Sequence, residues 1–247
     1  MYFGCTMMYG IPLEDILFLD IETVPGIPRF DQMDEELQNL WADKHRFILE
    51  RDGLTPEELY EKAGIYAEFG KIICISTAIF HEVDGQLKLR VKSFFGDDEK
   101  VLLDEFARML DRYTAKKSAG HICGHNIREF DVPYVARRML INGLKLPSLL
   151  DLAGKKPWEV YHLDTMALWK FGDYKHFTSL ALLARIFGIP TPKDDISGAD
   201  VAKVYWEDKD LGRIKTYCEK DTITVARLMQ KFRNSEMIGD EHIEYVD

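Results

Sequence analysis

The stretch Ile16-Leu17-Phe18-Leu19-Asp20-Ile21-Glu22-Thr23 decides the fold. Its first four residues form an unbroken apolar run, and Pro25-Gly26 follows shortly after it. A short apolar run that ends in turn residues predicts a strand buried on both faces, as in a parallel or mixed sheet. Residues two apart on a strand point to the same side, so we expect Asp20 and Glu22 to face one place at its carboxyl end.

The Asp20-Ile21-Glu22 pattern has two interpretations. Neighbouring carboxylates near a core repel each other, and each costs free energy to bury unless a cation compensates it. A divalent ion with oxygen ligands is the usual compensation, which favours a metal site. The alternative is a strand end whose acids face the solvent, and it stays open for an isolated motif.

A predicted C-terminal helix, from about Asp208 to Phe232, carries another acidic candidate. Its apolar residues recur at helical spacing, and Asp221 stands where one of them is missing, with Tyr217 one turn earlier. An inward-facing carboxylate must be paired, metal-bound or neutralised. An exposed helix edge, or a pair with a buried Lys or Arg, is the alternative. The apolar stripe comprises Leu211, Ile214, Cys218, Val225, Leu228 and Phe232.

The remaining chain alternates between predicted strands and helices, which favours one α/β domain over residues 1–235, although the length would also fit two small domains. Residues 26–70 are predicted to be a helical insertion, and the acidic residues 236–247 a frayed end. We predict strands over 71–80, 86–95, 118–124 and 161–164, with a hairpin turn at Asp84-Gly85, and helices over 33–51, 56–67, 97–113 and 180–187 and from Val132 to Asn142-Gly143.

Composition favours a soluble protein with no membrane partner. Hydrophobic residues make up 46% and charged residues 30% of the chain. The longest uncharged stretch, Met1 to Leu13, is shorter than the roughly 20 apolar residues that span a bilayer, and it lacks the features of a secretory signal. The cysteines form no CxxC pair, so neither a zinc cluster nor a disulfide scaffold is expected, and we predict a cytoplasmic location. They are Cys5, Cys74, Cys123 and Cys218.

The net charge of −10 does not exclude a polyanionic partner. Residues 236–247 contain five acidic groups and no Lys or Arg, whereas residues 121–192 hold nine Lys and Arg against six Asp and Glu. A carboxylate-rich metal site also counts as negative until its metal binds. Net charge is therefore a poor guide to the partners of this chain.

Asp131 and Asn126 each have a local explanation. Asp131 lies just before the predicted helix that starts at Val132, with Pro133 in the first turn, so it is well placed to cap that helix. Asn126, in the Gly124-His125-Asn126 loop, is a typical turn residue. In isolation, capping is the better interpretation of Asp131.

Taken together, three motifs resemble those of a known superfamily. Asp20-Ile21-Glu22 is followed by Asn126-Ile127-Arg128-Glu129-Phe130-Asp131 and then by Tyr217-Cys218-Glu219-Lys220-Asp221. This order resembles the DnaQ-like, or DEDD, 3′–5′ exonucleases, in particular the proofreading exonuclease domain of family B DNA polymerases. The likeness extends from Ile16 to Leu228. Tyr at 217, with Thr at 216, is similar to the DEDDy branch.

This resemblance implies an RNase H-like fold, in which helices flank a mixed central sheet, and a metal-dependent exonuclease with two Mg²⁺ or Mn²⁺ ions. By resemblance, Asp20 would bridge the ions, Glu22 and Asp221 would complete the nucleophile-side ion, and Asp131 would hold the second. Tyr217 would orient the attacking water. The implied substrate-binding residues are Thr23, Asn126 and Phe130.

The implied substrate is single-stranded DNA, cleaved from its 3′ end to nucleoside monophosphates. An RNase D-like exoribonuclease is one alternative, and an inactive nucleic-acid-binding or partner-binding module is another, against which the intact motif residues argue. The chain is far shorter than a polymerase, so we expect a stand-alone exonuclease that could meet replication or repair proteins in trans. DNA or RNA preference and oligomeric state stay open.

Two further features lie between the second and third motifs. Asp164-Thr165 is expected to start a helix rather than to bind metal. Residues 169–177, Trp-Lys-Phe-Gly-Asp-Tyr-Lys-His-Phe, could stack bases and contact phosphates of a single strand. An aromatic core edge with solvated lysines is an equally good interpretation of them. His121 and His125 lack metal-ligand spacing.

Overall fold

One mixed sheet of six strands forms the centre of the protein within the part of the chain that the computed structural model describes, namely residues 9–116, 120–173, 175–190 and 196–246. In chain order the strands are β1 (Ile16–Pro25), β2 (Gly70–Val83), β3 (Gln86–Phe95), β4 (His121–Gly124), β5 (Leu163–Asp164) and β6 (Ile243–Val246).

The strands lie in the order β5-β4-β1-β2-β3-β6. β1, β2 and β3 are antiparallel neighbours, and the hairpin between β2 and β3 turns at the predicted Asp84-Gly85. β4 is parallel to β1, β5 is parallel to β4, and β6 is parallel to β3. The prediction of a mixed sheet is confirmed, and β1 is an interior strand of it.

Helices cover both faces of this sheet. α3 and α4 contribute Phe106 and Val135 to one hydrophobic cluster, and α8 contributes Val225 to a cluster on the other face. The helices are α1 (Glu35–Asp52), α2 (Pro56–Tyr60), α3 (Glu99–Lys116), α4 (Asp131–Ile141), α5 (Thr165–Lys170), α6 (Leu180–Ile186), α7 (Val201–Lys203), which continues as a π-helical turn over Val204–Asp208, and α8 (Leu211–Phe232).

The alternation of β1 determines where its acids point. Leu17, Leu19 and Ile21 pack in the cluster with α3 and α4, whereas Ile16 and Phe18 pack in the cluster with α8. Because side chains alternate along a strand, Asp20 and Glu22 continue the row that faces α8. The two acids therefore replace apolar residues at the end of a core-facing row.

The helical insertion between β1 and β2 has its own aromatic core around Trp41, which is fully buried. Its second helix ends at Tyr60, earlier than the predicted residue 67. The chain then makes a 3₁₀ turn, Ala63–Ile65, which presses Gly64 against β1. A Cβ at Gly64 would lie 3.1 Å from the Val24 backbone, so glycine permits this contact.

The prediction of a frayed chain end after Glu236 is wrong. Ile243–Val246 forms β6 and pairs with β3. The Glu244 carboxylate accepts a hydrogen bond from Lys88 at 2.7 Å, and the buried Arg227 contacts Asp240. Glu244 and Asp240, which would otherwise favour a solvated tail, thus pair with a lysine 156 residues away and an arginine 13 residues away in sequence.

Other expected bounds shift by a few residues. α8 begins at Leu211 rather than near Asp208, because the Asp210 side chain accepts the Arg213 N–H and caps the helix. The predicted strand over 118–124 is β4 from His121 onward, and residues 117–119 lie outside the described chain. None of the described helices is long and apolar enough to span a membrane.

Glu99, on α3, forms hydrogen bonds to β2 and to the α4 region. Its buried carboxylate accepts hydrogen bonds from the Ile72 N–H at 2.7 Å, from the Arg138 guanidinium and from the Asn142 amide at 2.9 Å. Ile72 lies on β2, and Arg138 lies on α4, the helix that begins with Asp131. This network fixes α4 against the sheet.

We predict that Glu99→Ala destabilises the protein by about 3 kcal/mol or more, because it removes an acceptor from the partly buried Arg138 guanidinium and from a buried backbone N–H. Denaturant unfolding measures the change. Glu105→Ala, on the exposed side of the same helix, is the control and should change stability by no more than about 0.5 kcal/mol. Equal effects of the two substitutions would contradict a structural role for Glu99.

Candidate functional site

The carboxylates of β1 lie beside a thiol of α8. Ligand atoms of Asp20, Glu22 and Cys218 lie within 4.8 Å of one another. Glu22 is buried and Asp20 is partly buried. The interpretation of these acids as a solvent-facing strand end is therefore wrong for Glu22, and the two predicted residues do face one place.

Asp131 reaches the same place from the end of β4. The pairing of β4 with β1 runs only as far as Phe18 and Cys123, and beyond it the Asp131 carboxylate accepts the Ile21 N–H. Asp131 is buried. The capping interpretation of Asp131 is wrong, because Phe130 occupies the N-cap without a side-chain cap and Asp131 is the first residue of α4.

Asp221 and Tyr217 approach from α8. The charge of Asp221 acts on both Asp20 and Glu22, and the Tyr217 hydroxyl donates a hydrogen bond to the Asp221 carboxylate. Both side chains are partly buried. The gap in the apolar stripe of this helix thus corresponds to a residue that faces the β1 acids, and four carboxylates share one site.

The carboxylates disfavour one another's ionised forms. Burial, followed by the charges of Glu22, Asp221 and Asp131, raises the pKa of Asp20 well above its usual range. Burial and the charge of Asp221 raise the pKa of Glu22 in the same way. Burial raises the pKa of Asp131 to about 7, although its hydrogen bond from Ile21 acts in the opposite direction. A divalent cation would relieve this repulsion, and the oxygen-rich donor set suits Mg²⁺ or Mn²⁺.

Cys218 is the site residue that the sequence interpretation missed. The periodicity of α8 places it in the apolar stripe, but its Sγ donates to the backbone oxygen of Asp20 at 3.4 Å and to its Oδ2 at 3.5 Å. Burial, then a hydrogen bond with Cys74, raises the pKa of the Cys218 thiol, so it stays a donor. Its spacing of three residues from Asp221 was the available signal, since such positions share a helix face.

A cleft of about 510 Å³ opens beside these acids and is termed here the Glu22 cleft. Thr23 and Phe130, both predicted to bind substrate, line it together with Glu22. The insertion contributes Gly64 and Ile65 to the lining. The insertion, whose role the sequence leaves undefined, thus forms part of the boundary of the cleft.

The loop before α4 is fixed by Asp164. Asn126 has a left-handed backbone (φ 64°), which asparagine tolerates, and its N–H donates to Asp164 Oδ1 at 3.0 Å. The Arg128 N–H donates to Asp164 Oδ2 at 3.2 Å. Asp164 also caps α5 through the N–H groups of Met166 and Ala167, which confirms that it starts a helix.

The aromatic residues after α5 divide into two groups. Trp169 packs against Phe187 and Phe232 and belongs to a hydrophobic cluster. Phe171 and Phe177 are exposed. The core interpretation is therefore confirmed for Trp169, and base stacking by Phe171 and Phe177 stays a prediction. Tyr174 lies outside the described residues.

Residues 65–237 match the family model described as predicted 3′–5′ exonucleases related to the exonuclease domain of PolB. The chain belongs to this family. The matched residues of this PolB-exonuclease-related protein include Asp131, Tyr217 and Asp221, whereas Asp20 and Glu22 lie before them. No match was found among curated proteins.

A solved structure supports the same fold. The family B DNA polymerase from the hyperthermophilic archaeon Pyrobaculum calidifontis is similar over 90% of this chain, with a TM-score of 0.54 and 15% sequence identity. The similar region is 25% of that polymerase chain, so the PolB-exonuclease-related protein spans about a quarter of it. The predicted family resemblance and the RNase H-like fold are confirmed.

We predict that Mn²⁺ stabilises the PolB-exonuclease-related protein, because a ligand that binds only the folded state raises its stability. At about 100 times the dissociation constant, the melting temperature should rise by about 5–10 °C. The double substitution Asp20→Asn/Asp221→Asn should abolish the rise. Thermal unfolding with Mn²⁺ or with EDTA is the measurement.

The matched control is Glu35→Gln/Glu36→Gln, which removes two exposed carboxylates of α1. It should retain the full Mn²⁺-dependent rise. A rise of equal size in the Asp20/Asp221 variant would show that these carboxylates do not share a metal site.

Proposed function

We propose that the protein is a 3′–5′ exonuclease of the DEDDy type that hydrolyses single-stranded DNA with two divalent cations, Mg²⁺ or Mn²⁺. The observation that supports this function best is the convergence of four carboxylates and one tyrosine from three distant segments beside one cleft. The family membership supports the reaction type. The residues are Asp20, Glu22, Asp131, Tyr217 and Asp221.

The four carboxylates would hold the cations. Asp20 lies between the charges of Glu22, Asp221 and Asp131, which suits a residue shared by two ions. When bound, the cations supply a water of lowered pKa and stabilise the charge on the attacked phosphate and the leaving 3′-oxygen. The Ile21 N–H holds the Asp131 carboxylate in place for this role.

Tyr217 would orient the water that attacks the phosphate. Burial, then the charge of Asp221, raises the pKa of Tyr217, so its hydroxyl stays protonated and donates a hydrogen bond. Its donation to Asp221 fixes the ring beside the acids. Because its one proton is donated to Asp221, the hydroxyl oxygen can accept a hydrogen bond from the attacking water, without competing with the carboxylates for the cations.

The Glu22 cleft would hold the 3′-terminal nucleotide. Phe130 offers an aromatic ring for a base, and its own ring is held by Tyr134 at 5.4 Å between centroids. Thr23 offers a hydroxyl in the lining of the same cleft. Ile65 adds an apolar side chain to the lining, and an unpaired end leaves its base free to stack on Phe130.

The strand end at which cleavage starts, and the direction in which it proceeds, test this function. With Mg²⁺ or Mn²⁺, the protein should release nucleoside monophosphates from a 5′-labelled single strand, and products should shorten from the 3′ end. A strand with a 3′-phosphate should resist, because the site receives a free 3′-hydroxyl, and circular single strands should survive. EDTA should stop the reaction. Rapid loss of the circles would show an endonuclease instead, and parallel RNA and DNA substrates decide the sugar preference.

The hydroxyl of Tyr217 gives a sharper test. Tyr217→Phe keeps the ring and removes one oxygen, so Mn²⁺-dependent stabilisation should persist while turnover falls by about 10²-fold or more. Single-turnover hydrolysis of a labelled strand measures the effect. Tyr245→Phe removes a hydroxyl from the exposed strand β6 and should leave turnover unchanged. Unchanged turnover in Tyr217→Phe would assign the tyrosine to packing alone.

A further inference from the structure

The Glu22 cleft continues into a second cavity that is rich in carboxylates. This cavity of about 640 Å³ lies between the insertion and the α7 region. It shares four lining residues with the cleft: Pro25, Glu61, Ala199 and Ala202. Four of its lining side chains are acidic and two are basic. We term it the acidic groove, and its charged residues are Arg29, Asp31, Glu57, Glu61, Lys203 and Glu207.

On the Phe130 side of the cleft, the loop before α4 contacts two segments. The Arg128 guanidinium donates to the Pro157 carbonyl oxygen at 2.8 Å. The His125 Nε2 donates to the Thr178 carbonyl oxygen at 2.9 Å. Both segments are therefore attached to the loop that ends in Phe130 and Asp131.

Each of these segments presents an exposed aromatic ring with a lysine over it. Trp158 is 71% exposed, and Lys156 Nζ lies 5.2 Å from its ring centroid. Phe177 is 68% exposed, and Lys170 Nζ lies 3.9 Å from its ring centroid. These four residues, Lys156, Trp158, Lys170 and Phe177, are the aromatic–basic surface.

The acids beside this surface are engaged with their own backbone. The Glu159 carboxylate accepts the Lys156 N–H at 2.7 Å. The Asp173 carboxylate accepts the Lys175 N–H at 2.9 Å and contacts the His176 ring. With Lys155 and Lys175 beside Lys156 and Lys170, four lysines stand against these two acids, whereas the acidic groove has four acids against two basic side chains, one of which, Arg29, pairs with Asp31.

We infer that a single-stranded nucleic acid leaves the Glu22 cleft past Phe130 and lies on the aromatic–basic surface, and that it does not enter the acidic groove. The inference rests on the proposed function for the position of the 3′ end. Lysines neutralise phosphates, and exposed rings stack bases without regard to sequence. Carboxylates in the groove repel the same phosphates.

Tryptophan fluorescence distinguishes the two routes, since Trp158 belongs to the aromatic–basic surface and Trp206 lines the acidic groove. Trp41 is fully buried, and Trp169 is packed against other rings. An oligothymidylate of about 12 nucleotides should quench the emission by stacking, in EDTA so that it is not cleaved. Trp158→Phe should lose most of this quenching, and Trp206→Phe should retain it.

Binding affinity gives an independent measurement. Phe177→Ala should weaken the binding of the same strand about 10-fold, the size expected for one lost stacking contact. Phe47→Ala removes an equally exposed ring from α1, on the insertion, and should bind as tightly as the wild type. Lys156→Ala/Lys170→Ala should reduce the slope of log affinity against log salt by about 1.4, because two phosphate contacts are lost.

Two results would overturn the inference: quenching that disappears in Trp206→Phe and persists in Trp158→Phe, or wild-type affinity in Phe177→Ala. The outcome is separable from that of the proposed function. Cleavage by the wild type without the binding pattern refutes this inference alone. The binding pattern without cleavage refutes the exonuclease activity alone.

Discussion

Electrostatic repulsion at the end of β1 is the constraint on which the rest of the site depends. Asp20 and Glu22 occupy a row that otherwise faces the core, and Asp131 and Asp221 bring two more charges to it. Burial without a cation raises the pKa of Asp20, Glu22 and Asp131, so keeping these three acids ionised costs free energy. The hydrophobic clusters on both faces of the sheet must therefore offset the free-energy cost of these carboxylates.

Unequal strand lengths make this site possible. β4 stops beside Phe18, so β1 extends beyond it and the Ile21 N–H is available to the Asp131 carboxylate. A Cβ at Gly124 would lie 2.8 Å from the Leu19 carbonyl oxygen, and glycine thus allows the chain to turn away close to β1. β1 thus supplies Asp20, Glu22 and the Ile21 N–H at the same point, and α8 completes the site.

Regular periodicity made much of this site predictable from the sequence. Because side chains alternate along a strand, Asp20 and Glu22 are expected to point in the same direction. Because apolar residues recur at helical spacing, Asp221 is recognised as a break in an apolar stripe. Predictions from the local sequence were wrong where tertiary contacts determine the structure. Asp131 has the ideal position for a cap, yet its carboxylate bonds to Ile21, and the acidic end becomes a strand because Lys88 and Arg227 meet it.

Carboxylates act on charged ligands at two places in the protein, the candidate site and the acidic groove. Within the site, clustered carboxylates attract small divalent cations, which can approach them closely. In the acidic groove, the carboxylates belong to surface side chains such as Glu57 and Glu207, and they meet a polyanion that carries its charge along its whole length. The carboxylates of the site would therefore attract cations, and the carboxylates of the acidic groove would repel a nucleic-acid strand. Because the insertion supplies Glu57 and Glu61 to that groove, it would act on the substrate by limiting its direction rather than by binding it.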